Sequence, residues 1–167
     1  MPATASVSVE EYLTTTYDPD RDYVDGEVLE RNWGEVIHGR TQLLIAAYVF
    51  SCEEAWDVTV TIEVRVQVKP RRFRVPDITV VAGPVPETRI LREPPLLCVE
   101  VLSPEDRMER MQEKIEDYLA FGVRCVWVVN PRNRRGFIYT SEGMHEAKDG
   151  VLRVEDTPIE VPLAGIG

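Results

Sequence analysis

Two histidines and three cysteines are all that this 167-residue chain offers to a soft metal or a disulfide. An odd cysteine count excludes a closed set of bridges. Cys98 and Cys125 sit in strand-like apolar runs and Cys52 ends a helical one. They read as small core residues of a reduced, cytoplasmic protein and not as zinc ligands. Long apolar runs are missing too. The longest, LLIAAYVF from Leu43 to Phe50, has eight residues, too few to cross a bilayer, so no membrane association is expected. The opening MPATASVSVEEYL lacks a basic stretch followed by an apolar one, so no secretory signal is expected. Basic charge is scarce: 19 Lys and Arg face 29 Asp and Glu, a net charge of −10. Taken alone, that argues against nucleic-acid binding, which relies on Lys and Arg.

The charges are unevenly spread, however. Arg65 to Arg74 (RVQVKPRRFR) holds five basic residues and no acid, and Arg124 to Arg135 holds four and no acid. Acids gather near the N-terminus, between 105 and 117, and after 142. With 44% apolar and 29% charged residues, the composition is that of an ordinary globular protein, and its length predicts one domain over residues 1–167.

Periodicity predicts the elements. Ser8 to Thr16 reads as a short helix with Ser8 as N-cap and Glu11 three residues on. Asp25-Gly26 signals a small hairpin. Apolar spacing predicts one long helix over 35–55. Residues 58–69, VTVTIEVRVQVK, alternate throughout and predict one half-buried strand, followed by the partner strand RVPDITVVA. Residues 96–102 predict a strand covered on both faces. A helix is expected over 104–121, with Ser103 as N-cap, Pro104 at its first position and Gly122 at its end. CVWVVN predicts another buried strand, parallel to the previous one, and GFIYTS with VLRVE a terminal hairpin. The sum is an α/β fold: a mixed sheet with helices on both faces and an α-β-β-β-α-β core.

Two carboxylates stand out. Glu100 interrupts the apolar run PLLCVEVL, where an isolated charge must shift its pKa, find a partner or bind a metal. Asp77 follows Pro76, which gives no N–H to a ladder and marks a strand start where the Asp77 side chain can leave the pleat. Two such carboxylates on neighbouring strands repel unless a cation such as Mg²⁺ lies between them. On the following helix, at about 100° per residue, Met108, Met111, Ile115, Tyr118 and Leu119 share one face. Lys114 flanks it with Arg107 and Arg110, and can extend its ammonium toward Glu100. Each residue also has a plain structural role: a paired carboxylate, a turn former, a helix-edge lysine. Their order along the chain, hairpin Asp, next-strand Glu, next-helix Lys, carries more weight.

The strings RVPDITVV, PPLLCVEVLSP and KIEDYLAFGVRCVWVVNP resemble the Uma2 family, a domain of the restriction-endonuclease-like fold within the PD-(D/E)XK nuclease superfamily. The similarity runs from about Tyr23 to Tyr139. It implies that Asp77 is the aspartate of the PD motif, Glu100 the second acid, and Lys114 the catalytic lysine. The superfamily pattern has that lysine two residues after the Glu, where this chain has Leu102. Asn130 stands where many relatives have Asp. His38 matches a family position and is expected to pack or hydrogen-bond; Glu27 is an accessory acid that could approach the site.

The resemblance implies a Mg²⁺- or Mn²⁺-dependent endonuclease acting on DNA, with Asp77, Glu100 and the Val101 carbonyl as metal ligands. Lys114 would act on the phosphate, and Arg71, Arg72, Arg74, Arg107 and Arg110 on the nucleic-acid backbone. A homodimer is expected by analogy alone. The rival expectation is a nuclease-fold binding or assembly module that no longer cuts, which the −10 charge and the missing Glu-x-Lys spacing favour. A third is a purely structural Glu100 paired with Arg107.

Overall fold

The structure, a computed structural model, describes residues 5–31 and 34–166. Helix α1 (Val9–Thr14) begins as expected: the Ser8 hydroxyl accepts from the Glu11 N–H at 3.1 Å. Strands β1 (Asp22–Val24) and β2 (Glu27–Leu29) form the expected hairpin. Asp25 and Gly26 both have positive φ, the primed-turn geometry that matches strand twist.

The long helix is divided. Helix α2 (Val36–Ser51) ends at Cys52, and a separate turn, α3 (Glu53–Trp56), follows. The Glu53 carboxylate accepts the Val60 N–H at 2.7 Å, and Asp57 turns left-handed, so the chain is pulled onto the next strand and cannot continue the helix.

The expected 58–69 strand is two strands in two sheets: β3 (Val58–Ile62) and β4 (Val66–Lys69). Its partner splits likewise into β5 (Arg72–Arg74) and β6 (Ile78–Ala82). The outer pair β3–β6 and the inner pair β4–β5 form one ribbon with a crease. On one side of the crease Glu63 has a φ of 53°; on the other lies Val75-Pro76-Asp77. The Glu63 N–H donates to the Asp77 carbonyl at 3.3 Å across it. The consequence shows in the packing. Val58 packs on one side of the main sheet and Val66 and Val68 on the other, although all three have the same parity. Alternation alone cannot register such a flip. Arg65, within the crease, forks onto Asp20 at 2.7 and 2.8 Å and lies 4.1 Å over the Tyr12 ring.

The main sheet is completed by β7 (Leu97–Val101), β8 (Cys125–Asn130), β9 (Arg135–Thr140) and β10 (Gly143–Glu146), in the order β10-β9-β8-β7-β6-β3. Only β7 and β8 run parallel, joined by helix α4 (Met108–Phe121) as expected. The smaller sheet has the order β2-β1-β5-β4. The terminal pairing differs from expectation. GFIYTS pairs with β8 and β10, while VLRVE contributes β11 (Val151–Arg153), which pairs with β12 (Glu160–Pro162). The two-residue turn at Ser141-Glu142 closes β9 onto β10 before VLRVE is reached.

Helices cover both faces of the main sheet. Ile45 and Val49 of α2 pack with Leu97, Val99, Val101, Trp127 and Val129. Met111, Ile115 and Tyr118 of α4 pack with Cys98, Val126 and Val128 on the other side. Each fully buried aliphatic side chain contributes roughly 1.5–3 kcal/mol. Period-2 alternation along β7 therefore turns Glu100 toward α4. Helix α4 starts later than the sequence suggests. Pro104 and Glu105 form a turn in which the Asp106 carboxylate accepts the Ser103 N–H at 2.7 Å, and Arg107 stands at the N-cap position. Met108, expected in the packed face, is 76% exposed because it opens the helix beyond the sheet edge. Gly122 ends the helix in the left-handed region, as expected. The three cysteines are free, with Cys98 and Cys125 buried. Among the described residues no helix is long and apolar enough to cross a membrane.

Candidate active site

The crease in the ribbon is what makes the site. Asp77 lies immediately before β6, freed from the ladder by Pro76, and it is 2% exposed. Its side chain turns toward β7, where one carboxylate oxygen accepts the Val101 N–H at 2.7 Å. The other oxygen accepts from Arg31 at 2.7 Å. His38 of α2 brings Nε2 to 3.3 Å from the carboxylate. One turn on, Gln42 donates to the Asp77 carbonyl at 2.9 Å. Burial works against ionisation of Asp77, but His38 and Arg31 prevail and hold its pKa below the usual carboxylate range. The same hydrogen bond raises the His38 pKa against its burial.

Glu100 is 3% exposed and its environment is the reverse. Its Oε1 accepts from the Tyr118 hydroxyl at 2.7 Å and lies 3.1 Å from the Lys114 ammonium. Burial pushes its pKa up to about 7; Lys114 and Tyr118 oppose the rise, and the Asp77 and Asp22 charges add to it. Lys114 remains a cation, because Asp22, Glu100 and Asp77 outweigh the burial that would neutralise it. Lys114 and Tyr118 sit four residues apart on α4, so both reach one carboxylate from one helix face.

Arg31, His38, Asp77, Glu100 and Lys114 line a polar cleft of about 280 Å³, and Tyr118 and Gln42 stand behind it. Asp77, Glu100 and Lys114 are brought together as the sequence suggested, and Arg107 and Arg110 stand exposed on its wall. Three expectations need correction. Glu27 is exposed near the hairpin turn, opposite Val24, and does not line the cleft. The early acid that does is Asp22, at the far end of that hairpin: it accepts the Val75 N–H at 2.8 Å and lies 3.8 Å from Lys114. An acid opening a strand that also buries Tyr23 was the available signal. Arg74 is 1% exposed and spent internally, on Asp117 at 2.6 Å and on Asp22 at 3.2 Å, so it cannot track a backbone in solvent. Arg72 is likewise tied to Asp117 at 2.9 Å and Asp25 at 2.6 Å, while exposed Arg71 lies outside the cleft lining. The basic run 65–74 is thus largely a set of struts for buried acids. Arg31 was not singled out from the sequence, since nothing near it marks a long arginine as the partner of an acid 46 residues away. His38 does hydrogen-bond, and its partner is a site carboxylate. Glu100 takes Lys114 and Tyr118 as partners, and Arg107 has no part in holding it.

Could these residues hold a metal? Among the described residues no three His, Cys, Asp or Glu side chains cluster as a ready cage. The candidate donors are the carboxylates of Asp77 and Glu100 and the Val101 carbonyl. That all-oxygen set suits a hard ion such as Mg²⁺ or Mn²⁺ and not zinc. Burial is the main reason the Glu100 pKa is raised, and a cation at this place would favour its charged form.

A model of the Uma2 family, described as "Putative restriction endonuclease", matches residues 9–166. A crystal structure of a "putative nuclease belonging to DUF820" from Anabaena variabilis is similar in fold, with a TM-score of 0.83 at 18% identity, covering 96% of this chain and 97% of that one. No curated protein matches. The family match spans both halves of the creased ribbon, β7 and α4, the elements that carry Asp77, Glu100 and Lys114, and the chain belongs to the Uma2 family.

Proposed function

We propose that this protein is a metal-dependent endonuclease that hydrolyses phosphodiester bonds in DNA. The observation that carries the reading is the meeting of Asp77, Glu100 and Lys114 in one polar cleft, from three different elements. A metal held by Asp77, Glu100 and the Val101 carbonyl would activate water and offset charge on the scissile phosphate. Lys114 extends a donor beside Glu100, where it can orient the attacking water and stabilise charge developing on the phosphate. Tyr118 fixes the Glu100 rotamer by its 2.7 Å bond, so the carboxylate is oriented before any ligand arrives. Arg107 and Arg110, exposed on the cleft wall, would contact flanking phosphates.

The deciding experiment is a cleavage assay on supercoiled, linear, nicked and branched DNA with Mg²⁺ or Mn²⁺. Wild type is expected to cut, and to stop in chelator; Glu100→Gln and Lys114→Ala are expected to be inert or nearly so. One observation favours the second reading, a non-cutting binding module: Asp77 is already fully paired with Arg31, His38 and the Val101 N–H. Calorimetry separates the two, since a module shows no more Mg²⁺ or Mn²⁺ binding than Glu100→Gln.

The enzyme would act as a homodimer through α2. Val36, Leu43 and Phe50 are 90%, 57% and 68% exposed and recur every seven residues along one side of that helix. Arg40 and His38 are its only basic residues and it carries no acid. In a chain of net charge −10, this is a face where two copies meet with little repulsion. A two-fold contact uses the same patch twice.

A further inference from the structure

We propose that Arg31 is a placeholder for the metal in the free protein and a ligand for the scissile phosphate once the metal is bound. The inference rests on the metal-dependent reading above and adds a residue to it.

Arg31 follows β2 by two residues, and its side chain is 16% exposed. One terminal nitrogen, Nη2, donates to Oδ1 of Asp77 at 2.7 Å. The other, Nη1, is buried and has no hydrogen-bond partner among the described residues; Glu63 is 4.0 Å away. A buried donor left unpaired is unfavourable. Nε of Arg72 and Nη2 of Arg74 are buried without a hydrogen bond too, but Asp117 holds both of those guanidinium groups, whereas among the described residues Nη1 of Arg31 has no carboxylate nearer than 4.0 Å. Oδ2 of Asp77 is already held by the Val101 N–H. An incoming cation therefore competes with Arg31 for Oδ1. A guanidinium does not give way by losing its proton, so it gives way by moving.

Where it goes follows from the cleft. Arg31 shares the lining with Lys114, Arg107 and Arg110. A guanidinium released from a carboxylate matches a phosphate's geometry with two parallel N–H groups. Its rotation exchanges Asp77 for a non-bridging phosphate oxygen and pairs the idle Nη1 in the same movement. Metal loading and substrate capture are thereby linked through one side chain.

The test measures Mn²⁺ binding by calorimetry at pH 8 without DNA, for wild type and Arg31→Ala. It then measures binding of a fluorescent duplex in Ca²⁺. Removing the competitor is expected to tighten Mn²⁺ binding about tenfold or more, the equivalent of one charged hydrogen bond. The same variant is expected to bind duplex at least tenfold more weakly. Arg31→Gln, which keeps a polar, shorter side chain without the charge, is expected to move both constants the same way and stands in if the alanine variant is unfolded. Unchanged or weaker Mn²⁺ binding in the folded variant would overturn the proposal and leave Arg31 as a strut for Asp77. Tighter Mn²⁺ with unchanged duplex binding would also overturn it, because the phosphate role would be gone. Wild type that binds no Mn²⁺ would remove the metal-dependent reading itself, a result distinct from either.

Discussion

The Lys114 ammonium stands 3.1 Å from Oε1 of Glu100, although the two residues belong to different elements and the superfamily spacing would put the lysine at position 102. The helix delivers to the same place a charge that the strand does not carry. Leu102 is only partly buried, next to the cluster that α4 packs against.

Glu100 separates function from stability. In chelator at pH 8, Glu100→Gln is expected to melt at the wild-type temperature or above it, because burial, and after it the Asp77 charge, disfavour the ionised carboxylate by more than Lys114 and Tyr118 favour it. The same variant should lose the upward shift that Mg²⁺ gives wild type. Thermal melts with and without the ion measure both. A large drop in chelator would assign Glu100 to the fold instead.

The pH dependence has a defined sign. Glu100 titrates near 7 when folded and near 4.5 when unfolded. Between those values the folded chain holds the extra proton, so this group's contribution to stability falls as pH rises from about 4.5 to 7. Wild type minus Glu100→Gln, followed by denaturant melts across that range in chelator, isolates the trend. Mn²⁺ binding should strengthen over the same interval, since the ion displaces the proton.

Asp117 is nearly buried and receives Arg74 at 2.6 Å and Arg72 at 2.9 Å. Asp117→Ala takes the shared partner from two guanidinium groups, leaving Arg72 to Asp25 and buried Arg74 to Asp22, and is expected to lower stability by about 3 kcal/mol. Urea unfolding gives the value. Arg74→Ala should do similar damage, with no special effect on salt dependence of DNA binding.

Arg107→Ala and Arg110→Ala behave in the opposite way. Both residues are exposed, and stability should change by less than about 0.5 kcal/mol. DNA binding should weaken for all sequences alike, and the slope of log K against log salt should shrink by about one per residue removed.

Leu43→Glu and Phe50→Glu introduce like charges into the proposed two-fold contact. Analytical ultracentrifugation should show dimer for wild type and monomer for either variant, with the melting temperature in dilute solution little altered.

What could be read before the fold was known depended on the kind of signal. The run from Leu97 to Val101 and the α4 stripe reveal themselves through periodicity, and Glu100 reveals itself by breaking one. Asp77 was visible because Pro76 is a chemical exception. The crease was not visible, since a flip at Glu63 leaves the alternation of valines intact on both sides. Asp22 and Arg31 were hidden for another reason: they act across the fold, and a surface-type residue in a polar stretch has no local oddity to mark it. The basic run from Arg65 to Arg74 misled for the same reason, because its buried acids are distant in sequence.

The groups of the cleft are drawn from Asp22 at one end to Tyr118 at the other, with α2 and the creased ribbon between. Contacts of such long sequence separation carry a loop-closure entropy that only the assembled fold offsets. A growing or partly unfolded chain therefore holds no assembled site. If the protein cuts phosphodiesters, that chemistry needs α4 docked on the sheet, since the helix alone brings Lys114 to Glu100.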